Sequence, residues 1–185
     1  TCRPPGSAAS GGVGDGPLTD FNSGAIFRAT NPATDFCLIE LDDPLDPLHN
    51  VHLAGWDRTG VLQTQSVGIH HPAVAEKRIC FDFDPPTVVT SGNYLRIGTW
   101  DFGVTEPGSS GSGLFDGNGR IVGQLFGGAA SCPNNADSDP TNDYDDYGRF
   151  SVSWNNGATA AERLMEWLDP SATGPVSYTH LRAHE

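Results

Sequence analysis

The chain has 185 residues, a fifth of them Gly (23) or Pro (14), and carries a net charge of −13 from 23 acidic and 10 basic side chains. That density of turn-formers excludes a fold of long helices and favours many short strands. The charge excludes phosphate backbones and anionic membrane surfaces as partners, since both demand a basic face, and no apolar run approaches the ~20 residues of a membrane-spanning helix.

Residues 1–24 read as a loop, because PPGSAASGGVGDGP holds almost no large apolar side chain. Regular structure begins near Ala25. Asp35 to Leu41 is a short apolar run with strand-forming residues, broken by Asp42-Asp43-Pro44. Val51–Trp56, Val67–His70, Arg78–Phe81 and Tyr94–Ile97 are further strand candidates. Gly113–Phe115 and Arg120–Leu125 flank Asp116-Gly117-Asn118-Gly119, a hairpin signal. Residues 133–146 form an acidic loop, and Tyr147–Trp154 reads as one more strand. A single helix is expected near the end. Thr159 and Glu162 have capping-box spacing. Ala161, Leu164, Trp167 and Leu168 then make an apolar face, and Asp169-Pro170 stops the helix. The tail from Val176 to Glu185 has no partner pattern and reads as foreign to the fold.

The four cysteines, Cys2, Cys37, Cys80 and Cys132, show no C-x-x-C spacing. Scattered through an acidic, Gly/Pro-rich chain, they read as disulfide partners in an oxidising compartment, with three pairings open.

The sharpest chemical feature is Gly108-Ser109-Ser110-Gly111-Ser112-Gly113. A nucleophilic serine needs a tight turn that presents its hydroxyl, with backbone N–H groups converging on one spot to hold an oxyanion. The G-x-S-x-G elbow of the α/β-hydrolases fails here, because Ser112 stands where its last Gly belongs. The chymotrypsin-type pattern, with Gly two residues before the nucleophile and Gly directly after it, fits Ser110. Asp35, an acid opening a hydrophobic strand, precedes Ser110 in the order that a His, Asp, Ser triad requires.

These segments together resemble the bacterial lysyl endopeptidases, secreted serine proteases of the trypsin-like class. The resemblance runs from Cys2 to about Gly174. It is carried by TCRPP, ATDFCLIEL, LAGWDR, GIHHPAVAEKRI, GVTEPGSSGSGLFD, GQLFGG, SC, DDYGRF and AAERLMEWLDPSATG, in that order. It implies an all-β fold of two antiparallel β-barrels, the first incomplete, with a C-terminal helix. Residues 1–55 would be the remainder of the first barrel and a linker, 56–174 the second barrel with the helix, and 175–185 a non-native tail. It also implies site roles. Ser110 would be the nucleophile and Asp35 the orienting acid. The N–H groups of Gly108 and Ser110 would form the oxyanion hole. Leu125, Phe126 and Gly127 would pair with the substrate backbone, and Asp145 would select a basic side chain. The counterparts of Cys2 and Cys132 bond elsewhere in the family, which leaves Cys37 and Cys80 as an expected pair.

Two departures stand out. Phe126 occupies the place of a His in the lysine-specific members, and Val88 to Tyr94 holds no Trp to accompany it, so the preference is for Lys or Arg alike. The general base is also missing. Residues 1–34 contain no His, and His49, His52, His70, His71, His180 and His184 all follow Asp35. The His70-His71 pair reads as structural. The chain is therefore expected to be inactive on its own, with a non-catalytic peptide-binding domain as the alternative. No cofactor or metal is expected: the alternating Asp137, Asp139, Asp143 and Asp145 lack the Gly and terminal Glu of an EF-hand loop. The expected partner is a peptide or protein bearing a basic residue, met outside the cell by a monomer.

Overall fold

A computed structural model of the chain describes residue 19 and residues 21–49, 51–133, 143–172 and 181–182. The loop readings for 1–18 and 134–142, Cys2, and most of the C-terminal tail lie outside the described residues. The strands appear where apolar and β-branched residues alternate between turn signals. They are β1 (Ala25–Asn31), β2 (Phe36–Leu41), β3 (His52–Leu53), β4 (Ser66–His70), β5 (Arg78–Asp82), β6 (Thr87–Val89), β7 (Tyr94–Ile97), β8 (Gly113–Phe115), β9 (Ile121–Gly128), β10 (Asp145–Arg149) and β11 (Leu181–Arg182).

Seven of them form one antiparallel sheet in the order β5-β4-β8-β9-β10-β7-β6. β1 and β2 make a separate hairpin with an irregularity between Phe27 and Ala29. The fold is all-β, as expected, with a few short helical turns. One core lies on the large sheet and includes Leu95, Ile97, Trp100, Leu114, Leu125 and Tyr147. A second joins Ala29 and Phe36 of the hairpin to Phe150, Trp154 and Leu164 near the chain's end. The hairpin thus docks on the C-terminal segment rather than standing alone.

Gly148 permits that docking. A Cβ there would meet the Thr34 carbonyl oxygen at 1.9 Å. With none present, Thr34 at the hairpin tip accepts a 2.6 Å hydrogen bond from Gln124 Nε2, and its hydroxyl accepts one of 2.8 Å from Ser153.

Several expectations need correction. The run Tyr147–Trp154 is not one strand: β10 ends at Arg149 and a one-turn helix, α1, spans Phe150–Ser153. Helical spacing puts Phe150 and Trp154 on one face, where both enter the second core. The Val51–Trp56 strand shrinks to β3 plus a single bridge from Trp56 to Ile121. The terminal helix is two pieces. The Glu162 carboxylate caps a 3-10 turn by accepting the Thr159 N–H at 2.9 Å, Arg163 is extended, and α2 resumes at Met165–Leu168. The break lets Leu164 and Met165 donate their N–H groups to Ser153 and Trp154 carbonyls at 3.1 Å each. Within the tail, β11 pairs with β3.

The Cys37–Cys80 bond is absent; both thiols are free. Cys37 lies exposed on β2 of the hairpin, whereas Cys80 is fully buried on β5 of the large sheet. The Cys80 thiol instead donates to the Gly68 carbonyl at 3.6 Å. Its acidity is suppressed, chiefly by burial and then by the neighbouring Asp145 charge.

Candidate active site

Five consecutive residues of β9, Gln124 to Gly128, collect the predicted site. Gln124 holds the Asp35-bearing hairpin tip through Thr34. Leu125 accepts the Gly111 N–H at 2.8 Å and donates to the Ser112 carbonyl at 2.8 Å, fastening the Ser110 turn. Phe126, half exposed, packs edge-on against Tyr94 with ring centroids 5.4 Å apart. Gly127 and Gly128 stand opposite Asp146 and Asp145 of β10. This is how segments from distant parts of the sequence are tied to one strand.

The serine turn is held from several sides. Ser109 donates its N–H to Glu106 O at 3.0 Å, and Ser112 donates to Ser109 O at 3.1 Å. The Pro107 carbonyl accepts the Ala73 N–H at 2.8 Å, and Glu106 Oε1 accepts the Cys132 N–H at 2.7 Å. Gly108 has φ +98°, a left-handed conformation that a side chain would oppose. Ser110 is exposed at this turn. The N–H groups of Gly108 and Ser110 donate to no acceptor among the described residues.

The two serines are sharply different. Ser109 is buried, and its hydroxyl shares a 2.9 Å hydrogen bond with Nδ1 of buried His70. A Ser–His pair at this distance has the look of a catalytic dyad, but both members are buried, whereas the neighbouring Ser110 is exposed. Burial, and secondarily the adjacent His71, holds the His70 imidazole below its ordinary pKa and so in the neutral form. His71 Nδ1 bonds the Ala75 carbonyl oxygen at 3.0 Å. The bond from His70 to the serine turn was not legible in the sequence, because 39 residues separate its partners.

Asp35 sits exposed at the hairpin tip with φ +57°. Tyr94 feels its charge. The phenol's pKa is raised by burial first, then by Asp35 and Asp146. Asp35 and the Phe126 ring therefore share the Tyr94 neighbourhood.

Strand alternation separates the two carboxylates of β10. Asp146 pairs with Arg96 through two 2.7 Å hydrogen bonds. Asp145 is buried, and its Oδ2 accepts the Trp100 indole N–H and the Thr105 hydroxyl, both at 2.7 Å. Burial raises its pKa, and these two donors oppose the rise. Thr105 lies five residues before Ser110, so the acid is tied directly to the segment that leads into the serine turn. Among the described residues no cluster of His, Cys, Asp and Glu has the geometry to hold a metal ion.

Among solved structures, the chain is similar to Rv3671c from M. tuberculosis H37Rv, crystallised as the inactive form of a serine-to-alanine mutant. Identity is 17%, the TM-score is 0.37, and the match covers 83% of this chain and 67% of that one. The family model for lysyl endopeptidase, C-terminal domain, matches residues 3–148, a span that takes in the hairpin tip, the serine turn, β9 and most of β10. The chain belongs to the lysyl endopeptidase C-terminal domain family.

Proposed function

We propose that this chain is the substrate-binding and nucleophile-bearing part of a secreted serine endopeptidase that cleaves after a basic residue. One observation supports this above the others. The exposed Ser110 sits at a turn whose Gly108 and Ser110 N–H groups are unengaged among the described residues. That turn is fastened to the same strand as the residues facing Asp145. In this reading the Ser110 hydroxyl attacks the scissile carbonyl. The two N–H groups receive the oxyanion, and Asp35 orients and stabilises the imidazolium of a His. Water then releases the acyl group. Phe126 forms an apolar wall beside the substrate backbone, which pairs along Leu125 to Gly127. Asp145 meets the basic side chain.

No His precedes Asp35 in this sequence, and buried His70 is committed to Ser109. A second reading is a protease-like domain that binds basic peptides without cutting them, and the commitment of His70 to Ser109 rather than to Ser110 favours it. The test treats the gene product that contains this sequence with a serine-directed phosphonate carrying a Lys or Arg side chain. Labelling that Ser110→Ala abolishes is the expected result. A folded protein that resists labelling yet binds basic peptides refutes catalysis and establishes the second reading.

A further inference from the structure

The two N–H groups assigned to the oxyanion belong to two peptide units, Pro107–Gly108 and Ser109–Ser110. In a planar trans peptide the C=O and N–H point opposite ways, so whatever holds the carbonyl aims the amide. Both carbonyls are held. Pro107 O accepts the Ala73 N–H at 2.8 Å, and Ser109 O accepts the Ser112 N–H at 3.1 Å. Ser109 lies between the two units, and its hydroxyl is fixed as well. It accepts the Glu106 N–H at 3.3 Å and shares the 2.9 Å bond with His70 Nδ1. His70 is the last residue of β4, and Ala73 stands in the short 3-10 turn, Pro72–Val74, that follows. One four-residue stretch, His70 to Ala73, thus braces the serine turn at two points.

Two features of that stretch work against stability. His70 buries a ring whose Nε2 has no hydrogen-bond partner among the described residues. An aliphatic side chain of similar size would avoid that desolvated, unpaired nitrogen. Ala73 adopts φ +51°, a left-handed conformation uncommon outside Gly, Asn and Asp, and in it gives its N–H to Pro107. We propose that His70 is a positioning residue: through the Ser109 hydroxyl it holds the serine turn in the form that aims the Gly108 and Ser110 N–H groups at the oxyanion. Without that bond the turn is free to rotate its peptide planes, and an amide that turns away stabilises no developing charge. The inference rests on the reading of Ser110 as nucleophile. It goes beyond that reading by giving a role to a buried histidine whose hydrogen bond goes to Ser109 and not to Ser110.

The gene product that contains this sequence is treated with the Lys- or Arg-bearing phosphonate, and labelling is followed as a maximal rate and a half-saturating concentration. His70→Leu slows the maximal rate about tenfold to a hundredfold, less than the ~10²–10³ that outright loss of an oxyanion donor costs. Half-saturation is unchanged. Ser109→Ala has the same effect, and the double variant is no slower than either single one, since all three lack the same bond. His70→Asn, whose side-chain amide can occupy the place of Nδ1, restores most of the rate. In 15N spectra taken before the phosphonate is added, the Gly108 and Ser110 amide shifts move in His70→Leu and Ser109→Ala and return in His70→Asn. Spectral dispersion shows which variants are folded, and Ser109→Ala and His70→Asn decide the matter if His70→Leu is not. Undiminished labelling of folded His70→Leu or Ser109→Ala, losses that multiply in the double variant, or no recovery in folded His70→Asn overturns the inference, while labelling of the parent at Ser110 leaves the reading beneath it standing. A folded parent that the phosphonate does not label at Ser110 overturns both.

Discussion

Replacing Gly148 by Ala tests whether the hairpin tip is truly seated on the sheet. Gly148 is the penultimate residue of β10, where conformational entropy alone makes Ala the better residue by ~0.4–1 kcal/mol. Packing predicts the opposite sign. The new Cβ would stand 1.9 Å from the Thr34 carbonyl oxygen and 2.2 Å from Gln124 Nε2, well inside the 3.0 Å that real Cβ contacts respect. Thr34 must retreat by about 1 Å, which stretches the 2.6 Å bond from Gln124 past hydrogen-bonding range and strains the bond from Ser153. Two hydrogen bonds at ~1 kcal/mol each, with ~1–3 kcal/mol of overpacking, outweigh the entropic gain. The net loss is ~2–4 kcal/mol. Urea unfolding followed by tryptophan fluorescence measures it, since Trp154 lies in the core shared with the hairpin. A variant as stable as the parent, or more so, refutes the docking geometry and with it the placement of Asp35 near β9.

The remaining predictions address charge and thiols. Asp82 is buried beside Asp84 and Asp101, and burial above all pushes its pKa to about 6. Because the folded value lies above the unfolded one, this group favours folding most below the unfolded pKa, and the advantage is lost as pH rises toward 6. Asp82→Asn, which can still accept the Asp84 N–H, therefore stabilises the chain by up to ~3 kcal/mol near neutral pH and by little near pH ~4. Urea midpoints across that range check it, and a gain independent of pH refutes it. Cys37, exposed and free, reacts rapidly with a disulfide reagent in the native chain, whereas Cys80 reacts only on unfolding. Mass-spectrometric mapping separates the two, and a native Cys37–Cys80 crosslink contradicts the fold.

The strands and the serine turn were legible because their signals are local. Apolar alternation bounded by Gly, Pro and Asp located β2, β4, β5, β7, β8 and the start of β9 within a residue or two, while β9 runs three residues past the expected Leu125 to Gly128. β6 escaped notice because three residues carry too little periodicity to register. Phe150–Ser153 looked like strand because Phe and Val favour strands. Its helical turn is imposed by a core to which Phe150 and Trp154 must both turn the same face. The disulfide guess failed for the same reason: strand membership says nothing about which sheet a cysteine occupies.

Composition and motif order by themselves determined the all-β class, the acidic surface and the identity of Ser110 as the residue at a tight small-residue turn. Only the tertiary structure decided which serine is presented and which is sealed against His70. It also decided that Asp145 turns inward to Trp100 and Thr105 while Asp146 is taken by Arg96, and that one five-residue stretch of β9 gathers the site. The physical reason is that turn formation depends on neighbours in sequence, whereas burial and hydrogen-bond partnership depend on strand order and packing, which bring together residues 90 and 119 positions apart.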